Sequence, residues 1–127
     1  WLTCVKKGLS MRSDGDGTQS RDMCYVKNVV DCLIKAAGST EKTKAEIFNV
    51  GIGSSVTNSE ILHYIKNKYP NSQHHNAPWR VGDVMHTKAD INKAQDILAY
   101  SPKYDVWNGL EETVAWFEKN WDWLKDL

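Results

Sequence analysis

At 127 residues, with 41% hydrophobic and 25% charged side chains, the chain has the length and composition of one ordinary globular domain spanning residues 1–127. Its 16 basic residues balance its 16 acidic ones, which argues against a broad nucleic-acid-binding or acidic-membrane-binding surface. No apolar run approaches the ~20 residues needed to cross a bilayer, so we expect neither a membrane nor a nucleic-acid partner.

The start of the chain and two apolar stretches define its first elements. Residues 1–7 are typical of the end of a helix, which Gly8 would stop. Residues 23–26 and 47–50 predict two short strands. Because the chain opens on tryptophan rather than an initiator methionine, we expect it to be part of a longer protein.

A helix is predicted between those strands, with Asn28 as its N-cap and Gly38 as its end. Its apolar side chains recur at helical spacing and predict one stripe that faces the core. The stripe consists of Val26, Val29, Val30, Leu33, Ile34 and Ala37. The polar residues 39–44 predict a loop after this helix.

Capping signals mark the start of the next helix. Thr57 and Glu60 are three residues apart, in the pattern of a capping box. Pro70 ends the helix, and its buried face would be Ile61, Leu62, Ile65 and Tyr69. Residues 71–76 predict a loop, and residues 84–87 predict a short edge strand.

Two further helices complete the predicted fold. Asp90 is predicted to cap a short helix over residues 90–99, with Ile91, Ala94, Ile97 and Leu98 inward. The last helix starts near Asn108, and its apolar stripe consists of Leu110, Val114, Phe117, Trp121 and Leu124. The pattern predicts an α+β (mixed α/β) fold with short strands and about four helices.

The segment 79–90 carries the most informative charges. Arg80 can donate two N–H groups to a phosphate, and Asp83 can accept hydrogen bonds from sugar hydroxyls. Gly82, between them, lets the backbone turn. The alternative is a surface turn with an incidental ion pair, because such pairs are common and contribute little. Trp79 is either a packing residue or a platform for a sugar ring.

Three other patterns carry weaker signals. The Gly-x-Gly at residues 51–53 lacks the third glycine of a dinucleotide fingerprint, and predicts only a strand-to-helix turn. The Tyr-x-x-x-Lys at residues 64–68 has the spacing of a proton-transfer pair but lies on a helix patterned for packing. The adjacent His74 and His75 point to opposite sides of an extended chain, so they do not form a metal pair. The three cysteines, Cys4, Cys24 and Cys32, fit no metal spacing and indicate free thiols in a reducing cytoplasm.

Six motifs occur in order along nearly the whole chain: GDGTQSRDMCYV at 15–26, NVGIG at 49–53, RVGDV at 80–84, ADINKA at 89–94, YSPK at 100–103 and GLEET at 109–113. They resemble the G-D-G-x-Q-x-R-D-F-x-Y-V, N-x-G-x-G, R-x-G-D-V, A-D-I-x-K-A, Y-x-P-K and G-L-x-E-T motifs of extended short-chain dehydrogenase/reductases that act on nucleotide sugars. The nearest likeness is to bacterial UDP-hexose 4-epimerases, particularly those that act on N-acetylated sugars.

This resemblance implies roles for four residues. Arg21 and Arg80 would hold the diphosphate of a UDP-sugar, and Asp83 would hold the ribose hydroxyls. The position four residues after that aspartate borders the sugar pocket in the family, and the small Thr87 found there would admit an N-acetylhexosamine. One departure is Ser13, which stands where the family has an aliphatic residue beside the base.

The resemblance also implies a missing half. In the family, a Rossmann domain upstream carries the NAD site and the catalytic Tyr-x-x-x-Lys. None of that upstream domain is recognised in this sequence, and the Tyr-x-x-x-Lys at residues 64–68 is not its catalytic pair, so the resemblance implies a C-terminal substrate-binding domain with no cofactor and no catalysis of its own. Its exposed apolar faces would favour a Rossmann-domain partner or self-association. A nucleotide-sugar 4,6-dehydratase or decarboxylase domain, and a stand-alone binding or interaction module, remain the alternatives.

Overall fold

A computed structural model of the chain describes residues 1–126. Over these residues the helices are α1 (Leu2–Lys6), α2 (Val26–Ala37), α3 (Thr40–Thr43), α4 (Asn58–Lys68), α5 (Asn92–Leu98), α6 (Val106–Lys119) and α7 (Trp121–Leu124). The strands are β1 (Met11–Asp14), β2 (Ser20–Arg21), β3 (Val56–Thr57) and β4 (His74–Ala77). Helices α2, α4, α5 and α6 are the four with seven or more residues, so the predicted mixed α/β fold with about four helices is confirmed.

The chain groups into two compact units. The first contains residues 1–21, 56–86 and the chain from residue 113, and the second contains Asp22–Ser55 and Thr87–Glu112. In the described part of the chain, no helix combines the length and the apolar character that a membrane span requires.

The first unit holds two small sheets. Strands β1 and β4 run parallel, with Met11 opposite His74 and Asp14 opposite Ala77. Strands β2 and β3 are antiparallel. The prediction of a loop over residues 71–76 was wrong, because β4 occupies part of it. Strand β4 is polar and largely exposed, so it lacks the apolar alternation that marks a strand in sequence.

Local predictions in the first unit are confirmed. Helix α4 begins with the expected capping box: Thr57 Oγ1 accepts from the Glu60 N–H at 3.2 Å, and Glu60 Oε2 accepts from the Thr57 N–H at 2.7 Å. The helix ends at Lys68, before Pro70, and Ile61 and Ile65 are buried. In the C-terminal stripe Val114 is fully buried.

The second unit is built around a core of Cys32, Ile91, Ala94, Leu98 and Tyr100. The inward face predicted for α5 is therefore confirmed. The predicted cap is shifted by one residue: Ile91 occupies the N-cap position, and Asp90 Oδ1 accepts the Asn92 N–H at 3.0 Å.

Asn28 is not the N-cap of α2, as the sequence predicted. The helix begins at Val26, and Asn28 lies in its first turn with 1% exposure. Its Nδ2 donates to the Tyr104 carbonyl at 2.8 Å, and its Oδ1 accepts from the N–H groups of Lys103 and Tyr104 at 2.9 and 3.1 Å. The Asn28 amide therefore holds the backbone of residues 103–104, which are distant in sequence, and does not cap its own helix.

The apolar stripe of α2 is exposed, contrary to the prediction that it faces the core. The exposed fractions are 61% for Val26, 46% for Val30, 63% for Leu33 and 68% for Ile34. The opposite side of the helix is the buried one, through Asn28 and Cys32. Helical periodicity locates an apolar face, but it does not say which neighbour covers that face.

The predicted strands at 23–26 and 47–50 were also wrong. Residues 20–21 form β2 because β3 pairs with them, and residue 26 already belongs to α2. Residues 47–50 have no ladder partner within the described part of the chain, and Ile47 is 83% exposed. The loop predicted at 39–44 contains the short helix α3. The last helix begins at Val106 instead of near Asn108. The edge strand predicted at 84–87 is reduced to one bridge from His86 to Ser20.

Candidate functional site

Arg21 is positioned by pairing on both sides of the two-residue strand β2. Ser20 lies opposite Thr57, and Arg21 lies opposite Val56. On the other side, Ser20 forms a parallel bridge with His86, and its N–H donates to the Met85 carbonyl at 2.8 Å. Since the backbone of β2 is held at both edges, the base of the Arg21 side chain has a defined position.

The Arg21 guanidinium binds the Asp83 carboxylate directly, although the two residues are 62 positions apart in sequence. Arg21 Nη2 lies 2.6 Å from Asp83 Oδ1, while Nη1 donates to the carbonyls of Ser20 and Met85 at 2.8 and 3.3 Å. Two of the five guanidinium N–H donors, on Nε and Nη2, have no partner within residues 1–126. The side chains retain 29% and 26% exposure, so a ligand can reach both.

A tight turn places Asp83. Its N–H donates to the Arg80 carbonyl at 3.1 Å, and Gly82 has a φ of +83°. That left-handed conformation suits glycine and strains other residues. The turn predicted at Gly82 is therefore present, and it separates Arg80 from Asp83.

Arg80 is paired with a carboxylate that sequence reasoning assigned no role. Its Nη2 lies 3.2 Å from Asp14 Oδ2, and the side chain is 70% exposed. Arg12 Nε lies 2.7 Å from the other oxygen, Asp14 Oδ1. No signal along the chain indicates this pair, because Asp14 ends β1 and Arg80 follows β4.

The loop after β1 is rigidly built. Asp16 Oδ1 accepts from the Thr18 hydroxyl and N–H at 2.6 and 2.9 Å, and these hydrogen bonds lower the pKa of the Asp16 carboxyl. Gly15, with φ of +72°, lies beneath Trp79: an added β-carbon would be 2.6 Å from three ring carbons. Trp79 thus packs on the loop with one face while 43% of it stays exposed.

Thr87 completes the predicted set, and Ser13 is the residue that departs from the family pattern. Thr87 belongs to the second unit; its side chain is exposed, and its carbonyl accepts from Ser55 Oγ at 2.9 Å. Ser13 is 4% exposed and points into the first unit, so its hydroxyl is not available to a ligand at the surface.

In the second unit, Asp22 closes the Gly-x-Gly turn at residues 51–53. Its carboxylate accepts from the N–H groups of Ile52, Gly53 and Ala89 at 2.9, 3.0 and 3.2 Å. A dinucleotide pyrophosphate would need those turn N–H groups and would be repelled by the carboxylate. These residues therefore do not fit NAD. The Arg21-Asp22 pair in the first motif was the signal that could have identified Asp22.

Three of the four histidines contact the polar side chain of a serine or a lysine. His75 Nδ1 lies 2.8 Å from Ser10 Oγ, His74 Nδ1 lies 3.4 Å from Lys66 Nζ, and His86 Nδ1 lies 3.0 Å from Ser20 Oγ. Within residues 1–126, no three of the His, Cys, Asp and Glu side chains are grouped so that they could hold a metal ion.

Comparison with known proteins finds similarity to nucleotide-sugar epimerases and dehydratases. A model of the NAD dependent epimerase/dehydratase family matches residues 1–51. The chain is 32% identical to a UDP-glucuronate 4-epimerase of Thermodesulfobacterium geofontis over 89% of its own length and 35% of the relative. It is 29% identical to a dTDP-glucose 4,6-dehydratase of Actinoplanes over 97% of its own length and 38% of that relative. The chain thus spans about a third of the length of these relatives.

Solved structures show the same fold. An epimerase from Methanothermobacter thermautotrophicus matches with a TM-score of 0.91 and 26% identity, over 98% of this chain and 38% of that one. The UDP-glucose 4-epimerase of Thermotoga maritima, solved with UDP-glucose, matches with a TM-score of 0.81 and 28% identity. The match covers 94% of this chain and 38% of that one. A UDP-N-acetylglucosamine 4-epimerase of Methanobrevibacter ruminantium, in complex with UDP-N-acetylmuramic acid, matches with a TM-score of 0.80 and 30% identity. The match covers 94% of this chain and 38% of that one.

Proposed function

We propose a function from one premise: this chain is a domain of the extended short-chain dehydrogenase/reductases, of the nucleotide-sugar epimerase type. On its own it binds a UDP-sugar and does not catalyse a reaction. Arg21 and Arg80 hold the diphosphate, and Asp83 holds the ribose hydroxyls. Because its cysteines are free thiols, we place this function in the reducing cytoplasm.

The Arg21–Asp83 pair is the observation that carries the proposal. It joins two residues whose predicted roles concern adjacent parts of one ligand, the diphosphate and the ribose. The guanidinium keeps two N–H donors for phosphate oxygens, and a carboxylate with about four lone-pair sites can bind Arg21 and hydroxyls together. Thermotoga and Methanobrevibacter relatives crystallised with UDP-sugars support the same ligand class.

Calorimetric titration with UDP-N-acetylglucosamine tests the proposal. Arg21→Ala and Arg80→Ala should each weaken binding by about 10- to 150-fold, the value of a charged hydrogen-bonded contact of ~1.5–3 kcal/mol. Arg21→Lys should restore little, because an ammonium lacks the planar fork. Lys125→Ala is the charge-matched control, since within residues 1–126 Lys125 forms its ion pair with the exposed Asp122 on α7.

Three outcomes would contradict this function. A folded wild-type chain that binds no UDP-sugar would favour an interaction module that reuses the domain. Equal losses for Arg80→Ala and Lys125→Ala would show that the arginines act only through net charge. Tighter binding of dTDP-glucose than of the UDP-sugar would favour the 4,6-dehydratase alternative, which the Actinoplanes relative supports.

The exposed face of the second unit supports a partner. Val26, Val30, Leu33 and Ile34 lie at helical spacing and leave an apolar stripe uncovered. Beside it, Leu33, Ala37, Phe48 and Val50 border an open groove of about 420 Å³. A nucleotide-binding domain with an exposed sheet edge could pair with residues 47–50 and cover the stripe. We take that domain as the occupant because both features lie in the segment that the epimerase family model matches, and this chain spans only a third of its relatives.

Sedimentation experiments test this partner. The part of the Methanothermobacter epimerase that this chain does not match should bind the chain, and a Leu33→Glu/Ile34→Glu variant should abolish the complex. Glu substitution at the exposed Leu9, which lies in the first unit, is the control. Self-association of the wild type that persists in the presence of the added domain would make a second copy the occupant instead.

A further inference from the structure

A carboxylate with a defined position lies beside the arginine that the proposed site uses. Asp14 ends β1, where Met11 and Ser13 are buried and Asp14 projects from the opposite side of the strand. Its two oxygens contact two different guanidinium groups: Oδ2 lies 3.2 Å from Arg80 Nη2, and Oδ1 lies 2.7 Å from Arg12 Nε.

The two members of the Asp14–Arg80 pair differ in freedom. The Asp14 side chain is 16% exposed, whereas that of Arg80 is 70% exposed. The backbone at Asp14 is also held, since its carbonyl accepts from Gln19 Nε2 at 2.6 Å and the next N–H, of Gly15, donates to the Ala77 carbonyl at 2.9 Å. The arginine can therefore move toward a ligand, while the carboxylate stays where it is.

We infer that Asp14 is a specificity-determining residue that masks the charge of Arg80 and disfavours ligands with extra negative charge. This inference rests on the proposed function. A nucleoside diphosphate sugar carries two charges, because both phosphates are esterified. A free nucleoside diphosphate carries about three above pH 7, since its terminal phosphate ionises again near pH 6. The carboxylate repels both ligands, but it repels the free nucleotide more.

Removing the Asp14 charge should therefore improve the binding of both ligands unequally. Coulomb energy is proportional to the charge of the ligand. The logarithm of the fold-increase in affinity should therefore be about one and a half times as large for UDP as for the UDP-sugar. With a charge effect of the size measured at exposed sites, Asp14→Asn should tighten UDP-N-acetylglucosamine by about 4-fold and UDP by about 8-fold. Titration calorimetry of the whole chain at pH 8 measures both constants.

Asp16→Asn is the matched control. It removes one negative charge two residues away, and an asparagine Oδ1 can still accept from both groups of Thr18. Asp16 forms no ion pair with an arginine in the described part of the chain, so Asp16→Asn should change the ratio of the two dissociation constants by less than Asp14→Asn. Asp14→Ser, which also removes the charge, repeats the measurement if Asp14→Asn folds poorly.

The outcomes separate this inference from the proposed function. If the wild type binds the UDP-sugar, Arg80→Ala weakens binding and Asp14→Asn tightens UDP more than the sugar, the inference is supported. If Arg80→Ala weakens binding but Asp14→Asn leaves the ratio unchanged or weakens both ligands, Asp14 merely positions Arg80 and the inference fails. If the folded wild type binds neither ligand, the proposed function itself has failed.

Discussion

Asp22 and Gly51 are packed so closely that a β-carbon on Gly51 would lie 2.6 Å from Asp22 Oδ2. The same β-carbon would lie 2.6 Å from Ala89 Cβ. The absence of a side chain at residue 51 therefore lets the Asp22 carboxylate reach the N–H groups of the adjacent turn. This contact gives a structural reason for a glycine in the second motif that is independent of any dinucleotide.

Gly51→Ala should destabilise the chain by about 1–3 kcal/mol, the usual range for overpacking a filled site. The added methyl group must push Asp22 away from the three N–H groups that it accepts. Urea unfolding followed by circular dichroism measures the loss. Gly38→Ala is the control, because its β-carbon would meet only backbone oxygens at 3.6 and 3.7 Å; it should be neutral or slightly stabilising. Equal effects of the two substitutions would refute the packing argument.

Asn28→Ala should cost about 3 kcal/mol, because it removes three partly buried hydrogen bonds to the backbone of residues 103–104, each of which contributes about 1 kcal/mol. Asn49→Ala is the comparison, since Asn49 Nδ2 makes one exposed hydrogen bond, to the Asp90 carbonyl at 3.3 Å. It should cost less than about 1 kcal/mol. Urea midpoints rank the two variants, and a smaller loss for Asn28→Ala than for Asn49→Ala would contradict the assigned role.

The interactions that were predictable are those made within a few residues. The capping box of α4 spans only Thr57 to Glu60, and Gly82 acts through its own φ angle, so both follow from local chemistry. The pairing of β1 with β4 could not be predicted, because His74 and His75 give no apolar alternation and Met11 pairs with a residue far along the chain. Secondary structure that depends on distant partners escapes reasoning from a local pattern.

The site divides in the same way. Arg21, Arg80 and Asp83 were predicted as ligand-binding residues because their types and motifs were visible in the sequence. Their ion pairs were not predicted, because Arg21 contacts Asp83 and Arg80 contacts Asp14 only after the fold brings distant parts of the chain together. The face of α2 was misassigned for a related reason: the stripe was identified correctly, but whether this chain covers it depends on tertiary structure.

Acid should weaken the start of α4. Hydrogen bonds from the Thr57 hydroxyl and N–H lower the pKa of Glu60 below its ordinary value of 4.5. A carboxyl with a lower pKa in the folded state contributes stability above its unfolded pKa, and that contribution is lost as the pH falls through the folded pKa. The melting temperature of the wild type should therefore exceed that of Glu60→Gln at pH 6, and the gap should close toward pH 3.

The control for this pH effect is the same substitution in a Thr57→Val background. Valine removes the hydroxyl that contacts Glu60, so Glu60→Gln should then produce a smaller and flatter gap across the pH range. A gap that keeps its full pH dependence without the Thr57 hydroxyl would show that the hydroxyl is not the main cause of the lowered pKa.

Thr87→Tyr should shift sugar preference. The resemblance places the residue four positions after Asp83 at the border of the sugar pocket, and a tyrosine ring would occupy volume that an N-acetyl group needs. Steric exclusion of one small group changes affinity only modestly. We therefore expect the dissociation constant for UDP-N-acetylglucosamine, divided by that for UDP-glucose, to rise by about 10-fold. Thr87→Ser, which enlarges the space, should leave the ratio unchanged or lower it. Titration of both ligands measures the ratio, and an unchanged ratio in Thr87→Tyr would remove Thr87 from the set of specificity residues while leaving the roles of Arg21, Arg80 and Asp83 intact.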